Sequence, residues 1–324
     1  MYSSILATGS YLPDKVLYNA DLIQFPKNSI NLIEAKTGVR SRRHAREDEC
    51  TSDLAIKAAS NCLNNANFDP SDLDAIVLAT SSPDRMQPPT ATQVQYKLGA
   101  SKAFAFDINA VCSGSVYGIY LADSIIRSGG CKNVLLIGAE LYSKILDPSD
   151  FSTYPYFGDG AGAVLFHKDD EYCGVIKSLL YSDGSGSELI YVQSGGTKLT
   201  YNNIKSEKET YFKMRGKEVF DFAVAKGTEA LANLMKETKL NKDEINFIIP
   251  HQANINIIKE IANRLEIPLD KFYINLDKYG NTAAASVLIG LDELLHSGRL
   301  KKGDIIIIVA YGGGLSWGAN LIRI

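Results

Sequence analysis

Strand-like apolar runs and helix-like periods alternate along this chain, and the whole alternation occurs twice. Residues 75–79, 103–108 and 134–138 are short apolar runs of the kind that form buried strands, and residues 91–98 and 113–127 between them carry helical spacing. The same order returns at 247–249, 255–265, 272–276, 282–295 and 305–310. Ser128-Gly129 registers with Ser297-Gly298 at an offset of 169 residues, and the same shift carries Asp123 onto Asp292 and Cys112 onto Asn281. Such self-similarity marks a duplicated architecture. Strands alternating with helices imply an α/β fold whose sheets are buried on both faces. Two similar halves are therefore expected, 1–172 and 173–324, with a long polar excursion at 183–212.

Composition narrows the function. At 324 residues, 45% hydrophobic and 22% charged, the chain is long enough for about two domains and a core that needs no disulfide or metal. The net charge of −3 arises from 34 basic and 37 acidic residues. Its densest basic cluster (Arg40, Arg42, Arg43, Arg46) is followed at once by Glu47, Asp48 and Glu49, which argues against nucleic acid or an anionic membrane as main partner. Apolar stretches are strand-length, and Met1-Tyr2-Ser3-Ser4 does not begin a secretory signal, so a cytoplasmic protein is expected. Five scattered cysteines without a Cys-x-x-Cys pair predict neither a disulfide framework nor a structural zinc site, and no metal is expected.

One cysteine stands apart. Cys112 follows a strand and opens an amphipathic helix within Asn109-Ala110-Val111-Cys112-Ser113-Gly114-Ser115. Unpaired N–H groups and the positive end of the helix dipole favour thiolate there, so a lowered thiol pKa is expected. A buried filler cysteine would look the same locally. His251, in Pro250-His251-Gln252-Ala253-Asn254, sits at the tip of a strand, where sites form, although a structural histidine would also fit. Asn281, in Gly280-Asn281-Thr282-Ala283-Ala284-Ala285-Ser286, could be a plain helix N-cap. The repeat changes the weighting, because it sets Asn281 at the position equivalent to Cys112. A pseudo-twofold would then bring the two helix starts together beside His251.

Two glycine-rich segments accompany them. Phe157-Gly158-Asp159-Gly160-Ala161-Gly162-Ala163 lacks the lysine and spacing of a phosphate loop and is expected to turn tightly near the site. Tyr311-Gly312-Gly313-Gly314 follows the 305–310 strand, where a backbone N–H could serve as an oxyanion donor.

Together these segments resemble β-ketoacyl-acyl-carrier-protein synthase III, a condensing-enzyme family with a thiolase-like fold of duplicated, layered α-β-α-β-α halves. The likeness runs from Gly9-Ser10-Tyr11-Leu12-Pro13 and Thr37-Gly38-Val39-Arg40 through the Cys, His and Asn motifs to the C-terminal glycine turn. It implies an acyltransferase with catalytic Cys112, His251 and Asn281 and an oxyanion hole from the N–H groups of Cys112 and Gly313. Cys112 would be acylated by an acyl-coenzyme A or acyl-carrier-protein donor, and malonyl-acyl-carrier protein would then be decarboxylated and condensed, initiating fatty-acid synthesis. No tightly bound cofactor is implied; the substrates are thioesters of coenzyme A or carrier-borne phosphopantetheine, the partner is acyl carrier protein, and a homodimer is expected. Lys36, Phe220, Asn254, Gln87 and Tyr311 fall at substrate-binding positions.

Departures from the family pattern cluster at the nucleotide end of the donor. Leu32 replaces a common tryptophan, Phe151 and Asn256 replace common arginines, and Lys36 replaces an arginine while keeping its charge. These changes open the alternative of a specialised synthase III-like enzyme of secondary metabolism or glycan modification that takes an unusual acyl donor. A papain-like hydrolase shares the order Cys, His, Asn but lacks both the local cysteine motif and the repeat. A non-catalytic binding protein on this scaffold would have no need of three intact reactive residues.

Overall fold

The run at 75–79 becomes β4 (Ala75–Ala79), buried at all five positions as a strand covered on both faces must be. The computed structural model describes residues 2–324. β4 pairs in parallel with β5 (Phe104–Ile108) on one side and β6 (Asn133–Glu140) on the other. From β6 the sheet continues antiparallel through β7 (Gly160–Asp169) to β1 (Tyr2–Tyr11). The second sheet runs from β8 (Gly174–Ser182) through β13 (Ser316–Arg323) and β12 (Ile305–Gly312) to β11 (Phe247–Pro250). Its pairings are antiparallel, antiparallel and parallel, the same succession as β1-β7-β6-β4. Two short ribbons, β2 (Val16–Tyr18) with β3 (Ser41–Arg43) and β9 (Ile190–Val192) with β10 (Phe212–Met214), lie outside these sheets.

Helices complete five layers. α2 (Thr51–Asn65) and α3 (Thr90–Leu98) bury Leu54, Ala58, Cys62 and Val94 against the first sheet. α4 (Gly114–Arg127) and α8 (Ser286–His296) fill the space between the sheets, where Ile119, Val287 and Leu291 meet Leu136 and Val164 on one side and Ile249 and Ile308 on the other. α1 (Lys27–Thr37), α5 (Gly216–Thr238) and α6 (Ile255–Leu265) close the outer face of the second sheet, and α7 (Leu276–Tyr279) is one turn long. Each large aliphatic side chain buried in these layers contributes about 1.5–3 kcal/mol of transfer free energy. No helix among the described residues is long and apolar enough to cross a membrane.

Three local expectations are corrected. Residues 272–276 form no strand; a single parallel bridge, Ile248 to Phe272, stands where β5 pairs with β4 in the first sheet. The Gln252 side chain explains the difference, because its Oε1 accepts the N–H groups of Asn275 (3.0 Å) and Leu276 (3.2 Å) that a ladder would need. The glycines of 157–163 serve close packing rather than a turn. Gly160 and Gly162 lie within β7, and a Cβ on Gly162 would stand 2.7 Å from the Leu288 Cβ of α8. The repeat offset also slips: α4 and α8 end 169 residues apart, at 127 and 296, but begin 172 apart, at 114 and 286. Their entry turns touch, with Ser115 Oγ donating to the Ala284 carbonyl at 2.5 Å.

Candidate active site

β5 ends at Ile108, and the chain makes one 3-10 turn over Val111–Ser113 before α4 begins. Val111 holds φ +48°, a costly conformation for a β-branched residue that sets Cys112 at the mouth of the helix. No side chain caps α4. Ser113 Oγ instead bonds the Ala110 carbonyl (2.8 Å) and Ser316 Oγ (2.7 Å), and Ser316 Oγ reaches the Gly313 carbonyl (2.9 Å). The glycine turn between β12 and β13 is thereby tied to the cysteine turn. A Cβ on Gly312 would fall 2.7 Å from the Cys112 nitrogen, so only glycine admits this approach.

Cys112 is 7% exposed, and burial pushes its thiol well above the ordinary range, with the Glu140 carboxyl adding to the shift. The expected lowering is therefore not found. Loss of water around the sulfur outweighs the helix-end field.

His251 follows β11 and anchors its own N–H on the Val309 carbonyl at 2.8 Å. Its Nδ1 lies 2.8 Å from Ser286 Oγ at the start of α8, and its ring meets Tyr311 edge-on at 5.5 Å. Burial lowers its pKa to about 3, so the imidazole is neutral. A Ser286 hydroxyl that donates to Nδ1 would place the ring proton on Nε2. Asn281 is not the N-cap of α8. Its Oδ1 accepts the Ala283 N–H at 2.8 Å, which leaves the amide NH₂ to donate elsewhere. Its backbone is clamped on the Tyr156–Gly158 segment by Asn281 N–H to Tyr156 O (2.8 Å) and Gly158 N–H to Asn281 O (3.0 Å).

Cys112, His251 and Asn281 line one inner pocket of about 50 Å³, with Tyr311 and Gly312 in its wall and Phe212, Met214 and Phe222 around it. An outer chamber of about 440 Å³ shares Phe157, Met214, Val219, Ala253, Ile257 and Asn281 with it and opens past Lys36, Phe220, Asn254 and Asn256. Asn254 is in the wall, but its Oδ1 is spent capping α6 on the Asn256 N–H (2.8 Å). Asn256 Nδ2 is in turn held by the Lys36 carbonyl (2.8 Å). Gln87 is exposed, follows the 81–86 segment and lines neither cavity of its own chain. Phe151 turns inward to Phe25 (5.2 Å) and Tyr156, and Leu32 is 45% exposed outside the chamber. Ser286, Phe157, Tyr142 and Glu140 were not anticipated. The first two lie inside motifs already singled out, whereas nothing in the local sequence signals Tyr142 or Glu140.

The family description "3-Oxoacyl-[acyl-carrier-protein (ACP)] synthase III" matches residues 106–184, and that of its C-terminal region matches 235–324. A beta-ketoacyl-[acyl-carrier-protein] synthase III of Caldanaerobacter subterraneus subsp. tengcongensis is 44% identical over 322 residues, covering 99% of this chain and 97% of that one. The chain belongs to the synthase III family. Another member, from Vibrio parahaemolyticus, is 42% identical over 323 residues and all of both chains. Among solved structures, the synthase III of Aquifex aeolicus superposes with TM-score 0.92 at 41% identity, covering 99% of this chain and 100% of its own. A priming β-ketosynthase of the R1128 polyketide pathway does so with TM-score 0.92 at 29% identity, covering 100% and 96%. The layered halves are thus the thiolase-like fold of this family, and the two matched segments contain Cys112 on one side and His251, Asn281 and Gly313 on the other.

Proposed function

We propose that the chain is an acyltransferase that primes chain assembly by decarboxylating Claisen condensation of an acyl thioester with malonyl-acyl-carrier protein. The convergence of Cys112, His251 and Asn281 on one pocket at the end of one chamber carries this reading. The Cys112 sulfur attacks the thioester carbonyl, and the N–H groups of Cys112 and Gly313 receive the oxyanion. Collapse expels the pantetheine or coenzyme A thiolate, which takes up the proton that the Cys112 thiol surrendered. The malonyl thioester then loses CO₂. The electron pair moves onto the thioester as an enolate, whose oxygen accepts from His251 Nε2–H and the Asn281 amide. The enolate carbon attacks the acyl-Cys112 carbonyl, giving the β-ketoacyl product and returning Cys112 thiolate, which reprotonates. A neutral His251 suits a donor role, because its Nε2–H bond to the thioester oxygen strengthens as negative charge gathers there in the enolate.

Replacing His251 or Asn281 by Ala is expected to cut malonyl-dependent CO₂ release by roughly 10²-fold or more while leaving Cys112 acylation in place. Condensation at the normal rate in either variant contradicts the assignment.

Acyl carrier protein is taken as the partner and the cytoplasm as the location. A homodimer is supported by β5, an edge strand of the first sheet on which Phe104 is 51% exposed and stacks on Phe106 at 6.3 Å. Among the described residues Lys36 is the one cation lining the outer chamber, and Asn256 is engaged with its backbone. That sparse grip favours, as a second reading, a specialised primer whose donor arrives on a carrier protein rather than on coenzyme A. Acylation rates with matched acyl-coenzyme A and acyl-carrier-protein donors separate the two, and equal use of acetyl-coenzyme A speaks for the general role.

A further inference from the structure

Arg42, in β3, carries a guanidinium with no exposed surface. Its fork ends on neutral acceptors: Nη1 donates to the Leu17 carbonyl of β2 (3.2 Å), and Nη2 to Asn19 Oδ1 and the Pro155 carbonyl (2.6 Å each). Nε is buried without a partner among the described residues. Burial lowers its pKa only to about 10, so the group is charged at pH 7. A buried cation that meets only neutral acceptors is costly, and a methionine would fill the space without that cost. Packing therefore does not explain the charge. What it holds is the segment that grips Asn281. The carbonyl after Pro155, that of Tyr156, takes the Asn281 N–H at 2.8 Å, and the Gly158 N–H returns to the Asn281 carbonyl at 3.0 Å. The Arg42 Cβ is packed into the same clamp, because a Cβ on Gly158 would stand 3.1 Å from it and one on Gly280 3.4 Å. Its neighbours secure both arms, with the Asp159 N–H on the Arg43 carbonyl (2.8 Å) and Ser41 Oγ on the Lys278 carbonyl (2.9 Å).

We propose that Arg42 is a positioning residue for the condensation: by holding the Pro155 carbonyl it fixes the segment that clamps Asn281, and with it the place from which the Asn281 amide reaches the malonyl thioester. The proposal rests on Asn281 as an enolate donor, the reading given above. Arginine suits the task because its planar fork reaches the carbonyls of two segments and an amide oxygen at once. A lysine ammonium is a single point of charge on a flexible stem and does not span them. The bonds it makes are charge-assisted, the stronger kind. The cysteine turn takes no part in this arrangement, since its ties run to Ala110, Ser316 and Gly313. Loosening Arg42 therefore acts on Asn281 and spares the turn that carries Cys112. Of the two half-reactions, only the one that uses Asn281 should suffer.

Arg42→Lys keeps the charge and loses the fork. Cys112 acylation, followed by intact mass, is expected to stay within about twofold of the wild type, while kcat for malonyl-dependent CO₂ release falls roughly tenfold at little changed KM. On an Asn281→Ala background the same substitution is expected to have no further effect, because the residue it acts through is gone. Equal losses in both half-reactions, or a tenfold loss that persists in Asn281→Ala, overturn the proposal. Amide hydrogen exchange reads the placement apart from the chemistry. The Gly158 and Asn281 peptides should exchange roughly tenfold faster in Arg42→Lys and the 113–120 peptide at the wild-type rate, and unchanged exchange at Asn281 contradicts the clamp. Should Asn281→Ala release CO₂ normally, the enolate-donor reading falls with the catalytic half of the proposal, and exchange still decides whether Arg42 holds the clamp. Should Arg42→Lys lose its near-ultraviolet circular dichroism, Asn19→Ala takes its place, since it removes one acceptor of Nη2 from a half-buried position. A roughly threefold fall in CO₂ release with acylation unchanged is then expected, and no fall, or equal falls in both, overturns the proposal.

Discussion

At His251 and Asn281, one face of each side chain is already spent on the protein. Asn281 Oδ1 holds the Ala283 N–H and His251 Nδ1 holds Ser286, so each presents a donor to the pocket. Ser286→Ala frees the imidazole tautomer, and malonyl-dependent CO₂ release is expected to fall roughly tenfold while Cys112 acylation keeps its rate. Equal effects on both half-reactions contradict that division. Tyr311 is a different case, because its hydroxyl is buried without a partner. Tyr311→Phe removes an unsatisfied group and is expected to leave urea stability unchanged or raise it by about 1 kcal/mol. A loss of stability would mean that the hydroxyl is bonded in solution. Cys112, His251 and Asn281 could be singled out in the sequence because each sits in a motif at a strand or helix end, and the fold brings them to one pocket. The direction of the Cys112 shift was not legible there, since it depends on burial and on Glu140, which the fold brings in from 28 positions away along the chain.

Element by element, the match is closest where apolar runs are continuous and weakest where side chains replace ladder bonds. β4 and α6 fall on the residues their patterns predict, 75–79 and 255–265. Residues 272–276 have a strand's composition but yield their N–H groups to Gln252, a long-range partner that no local pattern reveals. The repeat offset likewise holds at the ends of α4 and α8 and slips at their starts, which leaves Asn281 in an extended clamp while Cys112 lies inside a turn. The glycine turn after β12 is the element on which the oxyanion assignment depends. A Cβ on Gly312 would displace the backbone of Cys112 and Ser113, so Gly312→Ala is expected to cost about 1–3 kcal/mol and to slow Cys112 acylation far more than its stability loss explains. Thermal unfolding measured beside acylation rates separates the two effects, and full acylation in a stable Gly312→Ala protein contradicts the turn's role.

Across the whole molecule, two layered units close on one another through α4 and α8, and several ionisable groups are sealed inside. His44 and His251 have folded pKa values lowered by burial to about 4 and about 3. The unfolded chain therefore binds protons at these sites first. Their contribution to stability is complete above the ordinary histidine range near 6.5 and is lost as pH falls toward 4 and 3. Glu140, raised to about 7, has the opposite sign: it favours the fold in acid and loses that contribution as pH rises through 7. His44→Gln should accordingly lose about 2–3 kcal/mol less stability than the wild type between pH 7 and 4.5, measured by urea unfolding. Parallel losses in both proteins would place the acid sensitivity elsewhere. The central claim remains covalent: the chain takes an acyl group from a thioester onto Cys112 before it meets malonate. Intact mass after incubation with an acyl thioester, with the modified peptide mapped, tests it most directly. One acyl group on the Cys112 peptide, absent from Cys112→Ala, is the predicted result; an adduct that persists in Cys112→Ala would contradict it.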